Sequence, residues 1–314
     1  MVAWGGSGGP VLAALVAMEP VIRSHGLTKH YGRTRALESL DLEVPAGVVF
    51  GCLGPNGAGK TTWIRLLVGL LRPTRGRVDV LGTDVSQQPN AVQARIGYLP
   101  GEFVADDDLS AEQYLRFLCR VRGEPDPSAF RRLAERLDLD LGKRFGNLSH
   151  GNRQKVGIIQ ALMHEPDLLI LDEPTSGLDP LVQREFLQLL REVRADGRTV
   201  VLSSHVVAEV EAVADVVGIL REGRLVVAER VETLKTGTER RIELRFAEPP
   251  PADSLDGVAG VRDVRIDGHA AQLVVEGSTA ALLEALSQHQ VEDIVTHEPS
   301  LDDVFLHHYR AQEA

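Results

Sequence analysis

The stretch Gly54-Pro55-Asn56-Gly57-Ala58-Gly59-Lys60-Thr61-Thr62 constrains this chain more than any other. Four residues separate a first glycine from Gly-Lys-Thr, the spacing of a loop that wraps around phosphate. Its flanks suit that use. Val48-Val49-Phe50 upstream reads as a buried strand, and Trp63-Ile64-Arg65-Leu66-Leu67 downstream reads as the opening of a helix. Glycines let the backbone turn tightly and aim successive N–H groups at phosphate oxygens. The helix start adds unpaired N–H groups and the positive end of its dipole. Lys60 is expected to reach the β- and γ-phosphates, and the Thr61 hydroxyl to ligate Mg²⁺. The plainer reading is a Gly-rich turn before an ordinary helix, so the weight falls on what accompanies it.

Leu168-Leu-Ile-Leu171-Asp172-Glu173-Pro174 is an apolar strand ending in two acids. A carboxylate at such a strand end, beside a phosphate loop, holds Mg²⁺ or its water shell, and Asp172 fits that role. Glu173 is then placed to polarise an attacking water as general base. Next come Thr175-Ser176-Gly177-Leu178-Asp179-Pro180 and a strand running into Ser203-Ser204-His205. A lone histidine is usually structural or exposed. This one ends a strand as the two acids do, and in a parallel sheet those ends gather at one edge. Ser149 stands at a helix N-terminus, with Val156, Ile158, Ile159 and Leu162 following as apolar residues. A helix start carrying a hydroxyl is an anion site.

From about Pro20 short β-like runs alternate with helical segments, which indicates an α/β architecture. Val21–Leu27, Ala36–Val44 and Gly76–Leu81 read as strands of an antiparallel flap. Across residues 103–148 the β signal vanishes. Ser110–Arg122 and Ser128–Leu137 show helical apolar spacing there, predicting an all-helical insertion, with Arg131, Arg132 and Arg136 as its solvated face. The alternation resumes with Leu168–Leu171, a helix over Leu181–Ala195 ended by Gly197, and Thr199–Leu202. Beyond residue 235 a small α/β domain is expected. Ile242, Leu244 and Phe246 alternate with charged neighbours, and Asp267-Gly268 marks a hairpin. Ser278 is placed to cap a helix to about Gln288, and Ser300 a final helix carrying Leu301, Val304, Phe305 and His308.

The net charge of −11 argues against a dedicated nucleic-acid binder. Neither of the two cysteines, Cys52 and Cys119, has metal-ligand spacing; no disulfide framework is possible beyond that pair, so a reduced cytosolic compartment is the default. No apolar run reaches the ~18–20 residues that span a bilayer. Pro10–Met18 is too short and lacks a preceding positive region, so a secretory signal is not expected. Residues 1–17 read as a disordered extension with Met18 as the biological start, the competing idea being a short amphipathic membrane anchor.

The order of these pieces resembles the ATPase subunit of ATP-binding-cassette (ABC) transporters, over roughly residues 20–235. Gly54–Thr62 matches the Walker A loop, Leu168–Glu173 the Walker B strand and Ser176–Pro180 the D-loop. Tyr31 matches the aromatic that stacks on adenine, and His205 the switch histidine at the γ-phosphate. Leu148-Ser149-His150-Gly151-Asn152-Arg153-Gln154 occupies the place of the signature motif. The resemblance implies a P-loop ATPase domain with a parallel core sheet, an antiparallel β flap and a helical subdomain at about 103–165. A separate C-terminal α/β domain is expected over 236–314, and the resemblance covers the part before it. It implies ATP and Mg²⁺ as cofactors, with Lys60, Glu173 and His205 catalytic. Thr61 and Asp172 then hold the metal, while Gly54–Thr62, Tyr31, Ser149, Gly151 and Asp179 contact ATP. One Walker set and one signature per chain imply a homodimer with ATP sandwiched between copies.

Two departures stand out. Gly101 follows Ile96-Gly97-Tyr98-Leu99-Pro100 where the family commonly has Gln, with Glu102 one position on. His150 and Asn152 stand in the signature where Gly and Gln are commonest. The tail Glu298–Leu306 resembles the type-2 exporter branch, which includes daunorubicin-exporter-like subunits. That branch implies a separate multi-spanning permease at the cytoplasmic face of the cell membrane. The alternative is a soluble, non-transport ABC ATPase acting on ribosomes or DNA.

Overall fold

Two long strands with alternating burial open the chain. β1 (Pro20–Tyr31) and β2 (Thr34–Pro45) pair antiparallel, with Tyr31 opposite Thr34 across a tight turn. On β2, Leu40, Leu42 and Val44 face inward while Ser39, Asp41 and Glu43 are exposed, the period of a half-covered sheet. β3 (Val49–Leu53) shows no alternation, because all five residues are buried. β4 (Arg75–Val80) and β5 (Thr83–Asp84) complete a four-stranded flap in the order β2-β1-β4-β5. This computed structural model describes residues 19–123, 127–236, 240–251, 255, 257–297 and 301. The extension expected at 1–17, and the final helix beyond Leu301 with its Ser300 cap, lie outside those residues.

β6 (Ile96–Leu99), β7 (Leu168–Asp172), β8 (Thr199–Ser204), β9 (Val216–Arg221) and β10 (Arg224–Arg230) join β3 in a six-stranded sheet. Its order is β10-β9-β3-β8-β7-β6, with β3 pairing in parallel with β8 and β9, and β7 with β6 and β8. Helix Lys60–Leu67 packs between this sheet and the flap. Trp63, Ile64 and Leu67 share one buried cluster with Ile22 and Val44 of the flap and Phe50 and Ile170 of the parallel sheet. The Trp63 indole N–H donates to Ser24 Oγ at 3.1 Å, so the buried ring leaves no orphan donor.

Between β6 and β7 lie helices Ala111–Arg122, Ser128–Arg136 and His150–Leu162. Ser110 and Gln113 form a reciprocal capping box at the first. The basic face is exposed as expected, and two of its arginines are also ion-paired. Arg136 contacts Glu185 at 2.6 Å and Glu192 at 2.6 Å on helix Pro180–Ala195, and Arg131 contacts Glu112 at 2.8 Å. Those carboxylates come from distant segments, which periodicity along one helix does not reveal.

The chain divides between Ala228 and Glu229 into two compact units. In the second, β11 (Arg240–Phe246), β12 (Val261–Asp267), β13 (Ala270–Val275) and β14 (Val291–His297) form a sheet ordered β12-β13-β11-β14. Asp267 pairs with Ala270 across the hairpin, with Gly268 at φ +58°. Ile242, Leu244 and Phe246 point into a core with Leu282 and Leu286. The helix carrying Leu282 and Leu286 runs Ala280–Leu286, shorter than expected, although the Ser278 hydroxyl accepts the Ala280 N–H at 3.2 Å.

Candidate active site

The loop from Gly54 to Gly59 can only be built of glycine at its ends. A Cβ at Gly54 would come within 2.4 Å of the Leu220 carbonyl oxygen, and one at Gly59 within 2.6 Å of the Ala36 oxygen. Gly59 also holds φ at +105° and serves as N-cap of helix Lys60–Leu67 without a side chain to satisfy its N–H groups. No acid occupies the first turn, so that helix end keeps its positive character for an anion. Asn56 and Gly57 are exposed at the rim, while Pro55, Thr61 and Thr62 are half-buried. Gly54, Ala58 and Lys60 are buried.

Lys60 is buried, and its Nζ is accounted for. It donates to the Gly54 carbonyl at 2.6 Å and the Pro55 carbonyl at 3.4 Å, and lies 3.4 Å from Glu173 Oε1. The second Glu173 oxygen is 2.8 Å from His205 Nδ1. With that carboxylate ionised, Nδ1 is the donor. Asp172, only 1% exposed, accepts a 2.6 Å bond from Ser203 Oγ at its Oδ1. Its Oδ2 faces Gly101, where a Cβ would lie 3.3 Å away. Glu102, one position on, is exposed. Strand pairing thus gathers Lys60, Asp172, Glu173 and His205 at one sheet edge, as the sequence predicts.

This charge cluster is felt by its neighbours. Burial pushes the Cys52 thiol up to about 12, with Asp172 and Glu173 adding to the rise and Lys60 opposing it. Burial raises Tyr98 too, and Asp172 adds to that.

A second cluster holds Ser149, Gly151 and Asp179, while Tyr31 stands apart. Ser149 caps helix His150–Leu162, its hydroxyl accepting the Asn152 N–H at 3.3 Å. Gly151 abuts the Gly177 carbonyl, which a Cβ would meet at 2.2 Å, and the His150 ring nitrogen Nε2 lies 3.4 Å from Ser176 Oγ. Asp179 spends its Oδ1 on the N–H groups of Leu181 and Val182, both at 3.1 Å. Tyr31 sits at the β1–β2 turn, 45% exposed, with Lys29 Nζ 5.3 Å from its ring centroid.

Two participants escaped the motif reading. Ser203 bridges the two acids, and Gln154, 1% exposed, donates to the carbonyls of Glu173 at 3.2 Å and Pro174 at 3.1 Å. Both were visible as residues within motifs, but only the strand register and helix placement show what they touch.

Residues 37–176 match the ABC transporter family, and residues 231–309 match the C-terminal domain of DrrA1-3-like ATP-binding proteins. The daunorubicin resistance ATP-binding protein DrrA3 of Streptomyces coeruleorubidus is 35% identical over 92% of this chain and 96% of its own length. The bacitracin transport ATP-binding protein BcrA of Enterococcus faecalis is 33% identical over 86% of each chain. A solved ATP-binding subunit of an ABC transporter superposes with a TM-score of 0.63 at 30% identity, covering 68% of this chain and 92% of that one. The chain belongs to the ATP-binding, ATP-hydrolysing subunits of ABC transporters.

Proposed function

We propose that two copies of this chain close around ATP and, at the cytoplasmic face of the cell membrane, drive export through a separately encoded multi-spanning permease. The observation that carries the catalytic half is the Glu173 carboxylate set between Lys60 and His205 beside the phosphate loop. The transport half is supported by the relatives, which are named for drug resistance and bacitracin transport. No helix among the described residues is long and apolar enough to cross a membrane, so a spanning partner fits.

Each residue then has a task. The Gly54–Thr62 backbone wraps the phosphates, and Lys60 exchanges its carbonyl partners for phosphate oxygens. Tyr31, exposed at its turn, offers a face for adenine. Thr61 and Asp172 fit Mg²⁺, since Asp172 is a buried carboxylate with one oxygen beside a glycine. Bound there, the metal supplies positive charge against the phosphates. Glu173 takes the proton of the attacking water, and His205 holds that carboxylate through Nδ1. Ser149, Gly151 and Asp179 form a separate cluster, which suits contact with a nucleotide held by the second copy. Catalysis here is mainly positioning and charge stabilisation.

Glu173→Gln keeps shape and removes the base. It is expected to bind ATP while turnover falls by about 10²–10⁴-fold. Parental activity in that variant would remove Glu173 from its role. The same variant, tagged and pulled from detergent-solubilised native membranes with ATP and Mg²⁺, is expected to retain a stoichiometric multi-spanning protein. Recovery of ribosomal or DNA-repair proteins instead would favour a non-transport ATPase.

A further inference from the structure

The parallel register of β7 and β8 sets Asp172 opposite Ser203 at the ends of both strands. Ser203 is wholly buried, and its hydroxyl works in two directions. It donates to Asp172 Oδ1 at 2.6 Å and accepts the Glu173 backbone N–H at 3.1 Å. A serine hydroxyl has one proton and spare lone pairs, so both bonds are made at once. One buried oxygen therefore fastens two consecutive acids.

The fastening matters because Glu173 holds φ at +48°. That left-handed conformation is disfavoured for any residue with a Cβ and persists only where neighbours over-determine it. Here the neighbours are identifiable. Ser203 takes the Glu173 N–H, and Gln154 donates to the Glu173 carbonyl at 3.2 Å. The carboxylate lies within reach of both Lys60 and His205. For Asp172, the serine occupies Oδ1, while Oδ2 faces the space that Gly101 leaves without a side chain.

We infer that Ser203 is a positioning residue for ATP hydrolysis, orienting Asp172 toward Mg²⁺ and locking the backbone that presents Glu173. The inference rests on the roles proposed above for those two acids. Alanine would leave a buried N–H without an acceptor and a buried carboxylate oxygen without its donor, a defect centred on the site. Positioning of this kind governs turnover and metal affinity more than ATP binding.

The test uses the purified full chain with Ser203→Ala, Ser203→Thr, Asp172→Asn and Glu173→Gln. In Ser203→Ala, kcat is expected to fall about 10-fold or more with the KM for ATP changed less than about twofold. Mn²⁺ titrated onto the ADP-bound chain and followed by electron paramagnetic resonance is expected to bind about 10-fold more weakly. Ser203→Thr keeps the hydroxyl and is expected to recover both quantities. If alanine gives no folded chain by circular dichroism, Ser203→Cys, a weak donor of similar size, carries the same expectation.

Parental kcat and Mn²⁺ affinity in Ser203→Ala, with Asp172→Asn and Glu173→Gln inactive, would overturn the inference and leave the site intact. A lower melting temperature with unchanged Mn²⁺ affinity and no rescue by threonine would also overturn it, as a purely structural role. Parental activity in Asp172→Asn and Glu173→Gln would instead strike the underlying assignment of the acids.

Discussion

Lys60 folds its ammonium onto the Gly54 and Pro55 carbonyls while touching Glu173, so the cation and the acid hold one another where phosphate would otherwise compete. Such residues were legible in the sequence because their meaning is local. Gly59-Lys60-Thr61 carries its own turn chemistry, and Asp172-Glu173 ends an unmistakable apolar run. Ser203 was not legible in that sense, since its role depends on a β7–β8 register between segments far apart in the chain. A third residue yields a prediction of its own. Cys52 lies two residues before Gly54, fully buried, with its thiol pushed up to about 12 chiefly by burial. Only thiolate reacts with alkylating agents, and this one is neither formed nor reachable at neutral pH. Iodoacetamide treatment of the folded chain is expected to leave Cys52 unmodified by mass spectrometry, with labelling appearing only in denaturant.

Elements are legible in the sequence where periodicity is strong, and less so where distant partners decide. Helix Ala111–Arg122 announced itself through Ser110 and its apolar spacing, and the capping box is present. Helix Ser128–Arg136 was also expected, but not the Arg136 bonds that tie it to Glu185 and Glu192 on helix Pro180–Ala195. Just beyond helix His150–Leu162, His164 is set against β6, with Nε2 3.1 Å from the Ile96 carbonyl. Burial, with Arg122 adding to it, holds its pKa below the ordinary 6.5. The sign follows directly. Above 6.5 neither state binds the proton; as pH falls through that value, the unfolded chain takes up a proton that the folded one refuses. Stability should therefore drop as pH decreases from that point, levelling once the folded histidine also titrates. His164→Gln is expected to flatten that part of the curve in urea titrations at a series of pH values; an unchanged slope would remove His164 as its source.

At the scale of the whole molecule, the two units have separate cores. Ile242, Leu244, Phe246, Leu273 and Leu286 cluster in the second without any residue of the core that surrounds Trp63. A unit with its own core is expected to unfold on its own. Residues 229–314 expressed alone should give a cooperative thermal transition by circular dichroism, and a non-cooperative melt would show that the unit depends on the rest. The first unit is a different case. β3, which leads into the phosphate loop, lies between β8 and β9, and the Val49 N–H donates to Asp215 across 166 residues. On the ribosome the loop emerges early, but the strands that flank its own emerge late. The cradle therefore stays open for most of translation, its strand edges exposed to chaperones, and a transcript truncated before β8 would yield a chain that carries the motif without Ser203 and His205.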